Sequence, residues 1–103
     1  MSVESKFLNA CHRNDLDEVK NTITSVGVNC GDGYARTGLM TSARNNYLEL
    51  FFFLLSQPGV DVNITDADDD TALHDAVYKN NEVIVQVLAN RSDKNLCSKD
   101  SKI

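Results

Sequence analysis

The sequence predicts an all-α solenoid of about three helix-turn-helix repeats with short β-hairpin-like loops, and three observations predict it. Thr71-Ala72-Leu73-His74-Asp75-Ala76 repeats the character of Thr37-Gly38-Leu39-Met40-Thr41-Ser42-Ala43 at an offset of 34 residues, a period that marks stacked repeats. Each stretch is followed by asparagines (Asn45-Asn46; Asn80-Asn81) and then an apolar run, Leu48 to Leu55 and Val83 to Leu88. Each unit closes on a turn that ends in asparagine: Gly27-Val28-Asn29, Asp61-Val62-Asn63 and Asp93-Lys94-Asn95.

Taken in order, a weaker first copy runs from Phe7 to Lys20 and defines a unit over about 5–31. The second unit covers about 32–65. Thr37 stands where its hydroxyl can accept from the orphan amides of a helix start, and Ser42 is small enough to let two antiparallel helices approach. The third covers about 66–97, with Thr71 as the matching cap. Leu73, Ala76 and Val77 at i, i+3 and i+4 form one face of its first helix. In both units the asparagine pair interrupts the helix, because Asn favours turns and tolerates positive φ. No single helix hides its apolar stripe alone, so stability comes from stacking unit on unit. Residues 98–103 read as the start of a further hairpin or a C-terminal tail, and the whole of 1–103 as a single domain.

On these residues the units resemble ankyrin repeats. Thr71-Ala72-Leu73-His74-Asp75-Ala76 nearly matches the T-P-L-H-x-A signature. Leu48 to Asn63 resembles a family second helix with its G-x-D-V-N loop. Ala35 and Asp69 stand where the family has its hairpin glycine, and Met40 where the middle unit would carry histidine. The resemblance implies a structural role for His74, bonding to loop backbone.

Bulk properties narrow the function. A composition 42% hydrophobic and 24% charged suits a folded domain. The net charge of -5 repels phosphate backbones and anionic lipid, which argues against nucleic acid and membrane partners. Cys11, Cys30 and Cys97 are odd in number and lack C-x-x-C spacing, so neither disulfides nor a zinc site is expected. A reducing compartment fits, cytoplasmic in the first instance and nuclear in the second.

Chemistry finds no centre. His74 beside Asp70 and Asp75 lacks a nucleophile. Asp66, Asp68 and Asp70 open like a calcium loop, but Thr71 and Val77 fall where glycine and glutamate are required. Cys11 and His12 are consecutive and point about 100° apart on a helix. No catalytic residue, cofactor or metal is therefore expected, and the reading is a non-enzymatic protein-protein interaction module. The alternatives are a regulatory or docking fragment of a larger signalling enzyme, or a homo-oligomeric structural module.

The resemblance also implies how a protein partner is held: by hairpin tips and by the exposed face of each first helix. Carried over, the tips are Asp32, Gly33, Tyr34 and Arg36, then Asp66, Asp68, Asp69 and Asp70. The helix face is Asn9, His12 and Arg13, then Thr41, Arg44 and Asn45, then Asp75, Tyr78 and Lys79. Arg13, Arg44 and Lys79 would form a basic stripe, with Tyr34 and Tyr78 as rigid anchors. Phe51 and Phe53 are expected to face the core and Phe52 to sit at a usually polar position. Self-association is thus expected through Phe52 or through the open third repeat.

Overall fold

The structure, a computed structural model, describes the backbone of residues 2–100 and the side chains of residues 2–91. Among the described residues six helices pair in order: α1 (Val3–His12) with α2 (Leu16–Val26), α3 (Gly38–Asn45) with α4 (Leu48–Leu55), and α5 (Ala72–Tyr78) with α6 (Glu82–Asp100). Among the described residues the only extended pairing is an isolated antiparallel bridge between Gly31 and Thr37, at the base of the first hairpin loop. Helix α3 packs between α1 and α5, so the first helices form one layer and the pairs stack in sequence order.

Local chemistry starts the helices. Ser2, Asp15, Thr37 and Thr71 each accept from the backbone N–H three residues on, satisfying a donor that has no partner within the helix. At Thr71 the arrangement is reciprocal, because the His74 ring nitrogen Nδ1 accepts from the Thr71 N–H at 3.0 Å. The structural histidine implied by the resemblance is thus a capping-box partner, with histidine in the role more often taken by Glu or Gln.

Asparagine stops the first helix of every pair. Asn14, Asn46 and Asn80 occupy equivalent places with φ of 56°, 58° and 59°, a left-handed turn that reverses the chain into the second helix. Glycine caps the end of α2, where Gly27 has φ of 85°, whereas α4 ends at Ser56 and the following turn passes through Gly59 with φ of 79°. Helix α6 behaves differently. It runs on to Asp100, through the Asp93-Lys94-Asn95 turn that the sequence pattern suggests. Its C-terminal stretch has no glycine to make a left-handed exit inexpensive. Residues 101–103 lie outside the described residues, as does the side chain of Cys97.

The core runs the length of the stack. Phe7, Val19, Met40, Leu50, Phe51, Leu54, Ile84 and Leu88 are essentially fully buried, each worth about 1.5–3 kcal/mol in surface removed from water. The three consecutive phenylalanines divide as helical geometry demands: Phe51 is buried, Phe53 half-buried under the Lys20 ammonium at 5.6 Å, and Phe52 43% exposed against the edge of Phe51. Close approach of α3 to α1 depends on Gly38, where a β-carbon would meet Cys11 Sγ at 2.7 Å. One expectation of the periodicity fails. Val77 is 58% exposed instead of sharing the buried face of Ala76.

Candidate partner-binding surface

Two hairpin loops shape the surface, and each is folded by its first aspartate. Asp32 Oδ1 accepts from the N–H of Tyr34 at 2.8 Å and of Arg36 at 3.1 Å. Asp66 Oδ1 accepts in the same way from Asp68 at 2.8 Å and Asp70 at 3.0 Å. In both loops the fourth residue is left-handed, Ala35 at φ 62° and Asp69 at φ 69°, so non-glycine residues take the glycine position of the family hairpin. The strain at Ala35 is offset by the carboxylate that gathers the amides around it.

The loops are joined. Ala67 N–H donates to the Tyr34 carbonyl at 2.9 Å, and the Arg36 guanidinium meets Asp66 Oδ2 at 3.4 Å and Asp68 Oδ2 at 3.7 Å. Asp66 is thus buried, with 1% of its side chain exposed, and is not part of the projecting tip as the sequence suggests. Backbone N–H donation from Asp70, then from Asp68, and finally the Arg36 charge hold its carboxyl below the usual carboxylate range despite burial. Its Oδ2 takes no hydrogen bond and relies on Arg36 alone. The oxygens of Asp66, Asp68 and Asp70 lie within 4.8 Å of one another, and Arg36 pairs with the first two of these carboxylates.

Between the second loop and the first helices lies an open groove of about 560 Å³, lined by Arg36, Arg44, Asp68, Asp70, Leu73, His74, Asp75, Val77 and Tyr78. A hollow of about 30 Å³ adjoins it through Arg36, Arg44 and Asp75, and extends to His12 and Asn45 in the first and second pairs. These two depressions bring together nine residues expected from sequence at hairpin tips and helix faces: His12, Arg36, Thr41, Arg44, Asn45, Asp68, Asp70, Asp75 and Tyr78. Tyr78 is 80% exposed at the groove wall. Burial pushes the Asp75 carboxyl up, while the Arg44 and Arg36 charges pull it down and Asp66 and Asp70 add repulsion.

Other expected residues sit elsewhere. Tyr34, 70% exposed, and Asp69 are at loop tips outside both linings. Arg13 pairs with its neighbour Asp15 at 3.4 Å, and the Lys79 ammonium lies 5.7 Å from the Tyr78 ring centroid. The continuous basic stripe expected from Arg13, Arg44 and Lys79 is therefore broken. Only Arg44 of the three lines the two depressions, since Arg13 is drawn to a carboxylate and Lys79 to an aromatic face. Thr41, expected on the exposed helix face, is buried, although it contributes to the lining of the smaller hollow.

Cross-pair contacts were not visible in the sequence. Tyr47 donates its hydroxyl to the His12 carbonyl at 3.2 Å, and Asn81, at the equivalent place one pair later, donates to the Ala43 carbonyl at 2.6 Å. Asn29 accepts from the Asp61 N–H and donates to the Gly59 carbonyl, both at 2.9 Å. The asparagines closing each unit carried the signal, but only the stacked geometry gives it a partner.

Among the described residues no helix is long and apolar enough to cross a membrane. Residues 7–100 match the family described as ankyrin repeats (3 copies). A human relative, SMC5-SMC6 complex localization factor protein 1, is 40% identical over 55 residues, which is 53% of this chain and 5% of that protein. The chain therefore spans a small fraction of the length of this curated relative. Ankyrin repeats generally mediate protein–protein interaction and are typically non-enzymatic. With three capped helix pairs stacked in register and the family matched over nearly its whole length, the chain belongs to the ankyrin repeat family.

Proposed function

We propose that the chain is a non-enzymatic adaptor or scaffold module that binds a protein partner through its hairpin tips and the groove beside them. The observation that carries this reading is the groove itself. It gathers an exposed, rotamer-poor aromatic, Tyr78, in one lining with Arg44, Asp68 and Asp70. Tyr and Arg are enriched at binding hot spots because each offers a large contact area with fixed polar geometry. Tyr34, Arg36, Asp69, His12, Asn45, Arg13 and Lys79 complete the surface as a polar rim of mixed charge, which selects orientation more than it adds affinity.

The repeats are assigned as about 5–31, 32–65 and 66–97 on this reading. Cytoplasm or nucleus suits a chain whose described cysteines, Cys11 and Cys30, are both free. The human relative is named for localising a complex, which is itself a recruitment role, and it carries the matched segment within a much longer chain. A docking part of a larger protein is consistent with the same surface.

The test begins by capturing partners on the immobilised chain and measuring their affinity. Tyr78→Ala and Arg44→Ala should each weaken binding about 5- to 150-fold, corresponding to about 1–3 kcal/mol at a hot spot. Glu49→Ala, on a second helix, should bind as the unaltered chain does. Full affinity in both groove variants would place the binding face elsewhere.

A further inference from the structure

The groove beside the hairpin tips carries an imbalance of charge once the pairs within it are assigned. Arg36 lies 3.4 Å from Asp66, a buried carboxylate outside the groove lining, and 3.7 Å from Asp68, so its charge is matched within the loop. Two further carboxylates of the lining, Asp70 and Asp75, then face Arg44 as the one remaining guanidinium. Among the described residues neither the Asp70 nor the Asp75 carboxylate forms an ion pair or accepts a hydrogen bond. Arg44 attracts Asp75 without closing on it as an ion pair.

These carboxylates act on one another. Asp75 feels its own burial first, and then repulsion from Asp66 and Asp70 against the attraction of Arg44 and Arg36. A positive charge arriving there relieves the repulsion, whereas an acidic group adds to it. The same lining supplies apolar surface from Leu73, Val77 and Tyr78, on which the methylene stem of a long basic side chain can lie while its head reaches the carboxylates. At about 560 Å³ the groove has the size of an ordinary ligand cleft and room for more than one side chain.

We propose that the groove takes a basic segment of a protein partner, with a lysine or arginine head against the Asp70 and Asp75 carboxylates and its stem along Leu73 and Val77. The assignment holds only if the groove is the partner-binding face, as proposed above, and it adds the sign of the charge that this face selects. Arg44, common to the groove and the adjoining hollow, is left to donate to a backbone carbonyl of the same segment, so a basic partner still loses affinity when Arg44 is removed. The overall charge of -5 draws such a segment in before contact.

Fluorescence anisotropy of the full chain with a labelled peptide of alternating lysine and alanine, its arginine counterpart and a glutamate counterpart of the same length tests this. An ionic strength of about 0.15 M screens exposed charges beyond about 8 Å, which leaves contact in the groove to decide the result. The lysine and arginine peptides should bind and the glutamate peptide should not. Asp70→Asn and Asp75→Asn should each weaken binding about 5-fold or more, while Glu49→Gln, the same loss of charge on a second helix, should stay within about 2-fold. Neither aspartate side chain accepts a hydrogen bond among the described residues, so circular dichroism should show both variants folded. Binding of the glutamate peptide, no binding of either cationic peptide, or an equal loss in Glu49→Gln and the groove variants would each overturn the proposal. If Tyr78→Ala weakens the affinity of captured partners while Asp70→Asn and Asp75→Asn leave it unchanged, the groove remains the binding face and its selection of cations is refuted. If all three leave it unchanged, the face itself is wrongly placed.

Discussion

Replacing Asp66 tests the physical account of the hairpins most directly. In Asp66→Ala the Asp68 and Asp70 amides lose an ionised acceptor at 2.8 and 3.0 Å, and Arg36 loses its nearest carboxylate. A hydrogen bond to a charged group contributes about 1.5–3 kcal/mol, but water can reach part of this surface loop, so a total loss of about 2–4 kcal/mol is expected. For a domain this size each kcal/mol lowers the melting temperature by about 4–8 °C, so Asp66→Ala should melt about 10 °C or more below the unaltered chain. Asp66→Asn keeps the Oδ1 acceptor and should lose less at neutral pH. The pH dependence has a definite sign. Because the native carboxyl is held below its ordinary value of 3.8, its stabilisation is fully present above that value and disappears as pH falls through the lower native one. Thermal melts from pH 7 to pH 2 should therefore show a shallower acid loss in Asp66→Asn. An Asp66→Ala chain melting within about 2 °C of the unaltered one would refute the assignment.

Other consequences follow from single positions. Asn81→Ala removes the donor that ties the third pair to the Ala43 and Arg44 carbonyls, and should cost about 0.5–1.5 kcal/mol, read as faster hydrogen exchange across α5. Asn80→Val forces a β-branched residue to φ 59° and should lower stability by about 1–3 kcal/mol in chemical denaturation, while Asn80→Gly stays close to the unaltered chain. Gly38→Val pushes a side chain into Cys11 Sγ and Leu54 and should lower the melting temperature by more than Gly33→Val, where a β-carbon meets nothing within 4 Å. Asp75 has its carboxyl raised by burial, so its ionised form opposes folding as pH rises through the native value; Asp75→Asn should be at least as stable as the unaltered chain at pH 7, by thermal melt.

What the sequence reveals is what depends on a residue and its near neighbours. Thr37 and Thr71 as caps, the asparagines as left-handed stops, and the division of Phe51, Phe52 and Phe53 between core and surface all follow from local backbone chemistry and helical period. Val77 does not, because i, i+3, i+4 spacing places it near Ala76 without saying whether anything packs over it. The long run of α6 is similar: residues 93–95 have a turn composition but no glycine, so the helix continues through them. On the surface, Asp66 and Arg36 looked like free tip charges, since a string of aspartates does not show which one turns inward to gather its own loop amides.

That inward turn separates two uses of acidic residues that lie next to one another in sequence. Asp32 and Asp66 commit their carboxylates to backbone donors and set the loop shape, whereas Asp68 and Asp70 line the groove with Tyr78 and Arg44. In these two loops the first aspartate fixes the backbone, so the tip side chains can change without removing the bonds that fold the loop. The tip then varies in chemistry over a constant scaffold, because the energy that fixes the loop comes from Oδ1 and the backbone and not from the side chains presented to a partner. Arg36 is the exception that couples the two. By bridging Asp66 and Asp68 it ties the orientation of a groove residue to the charge that holds the second loop, so the shape of the proposed binding face depends on the stacking of one repeat on the next.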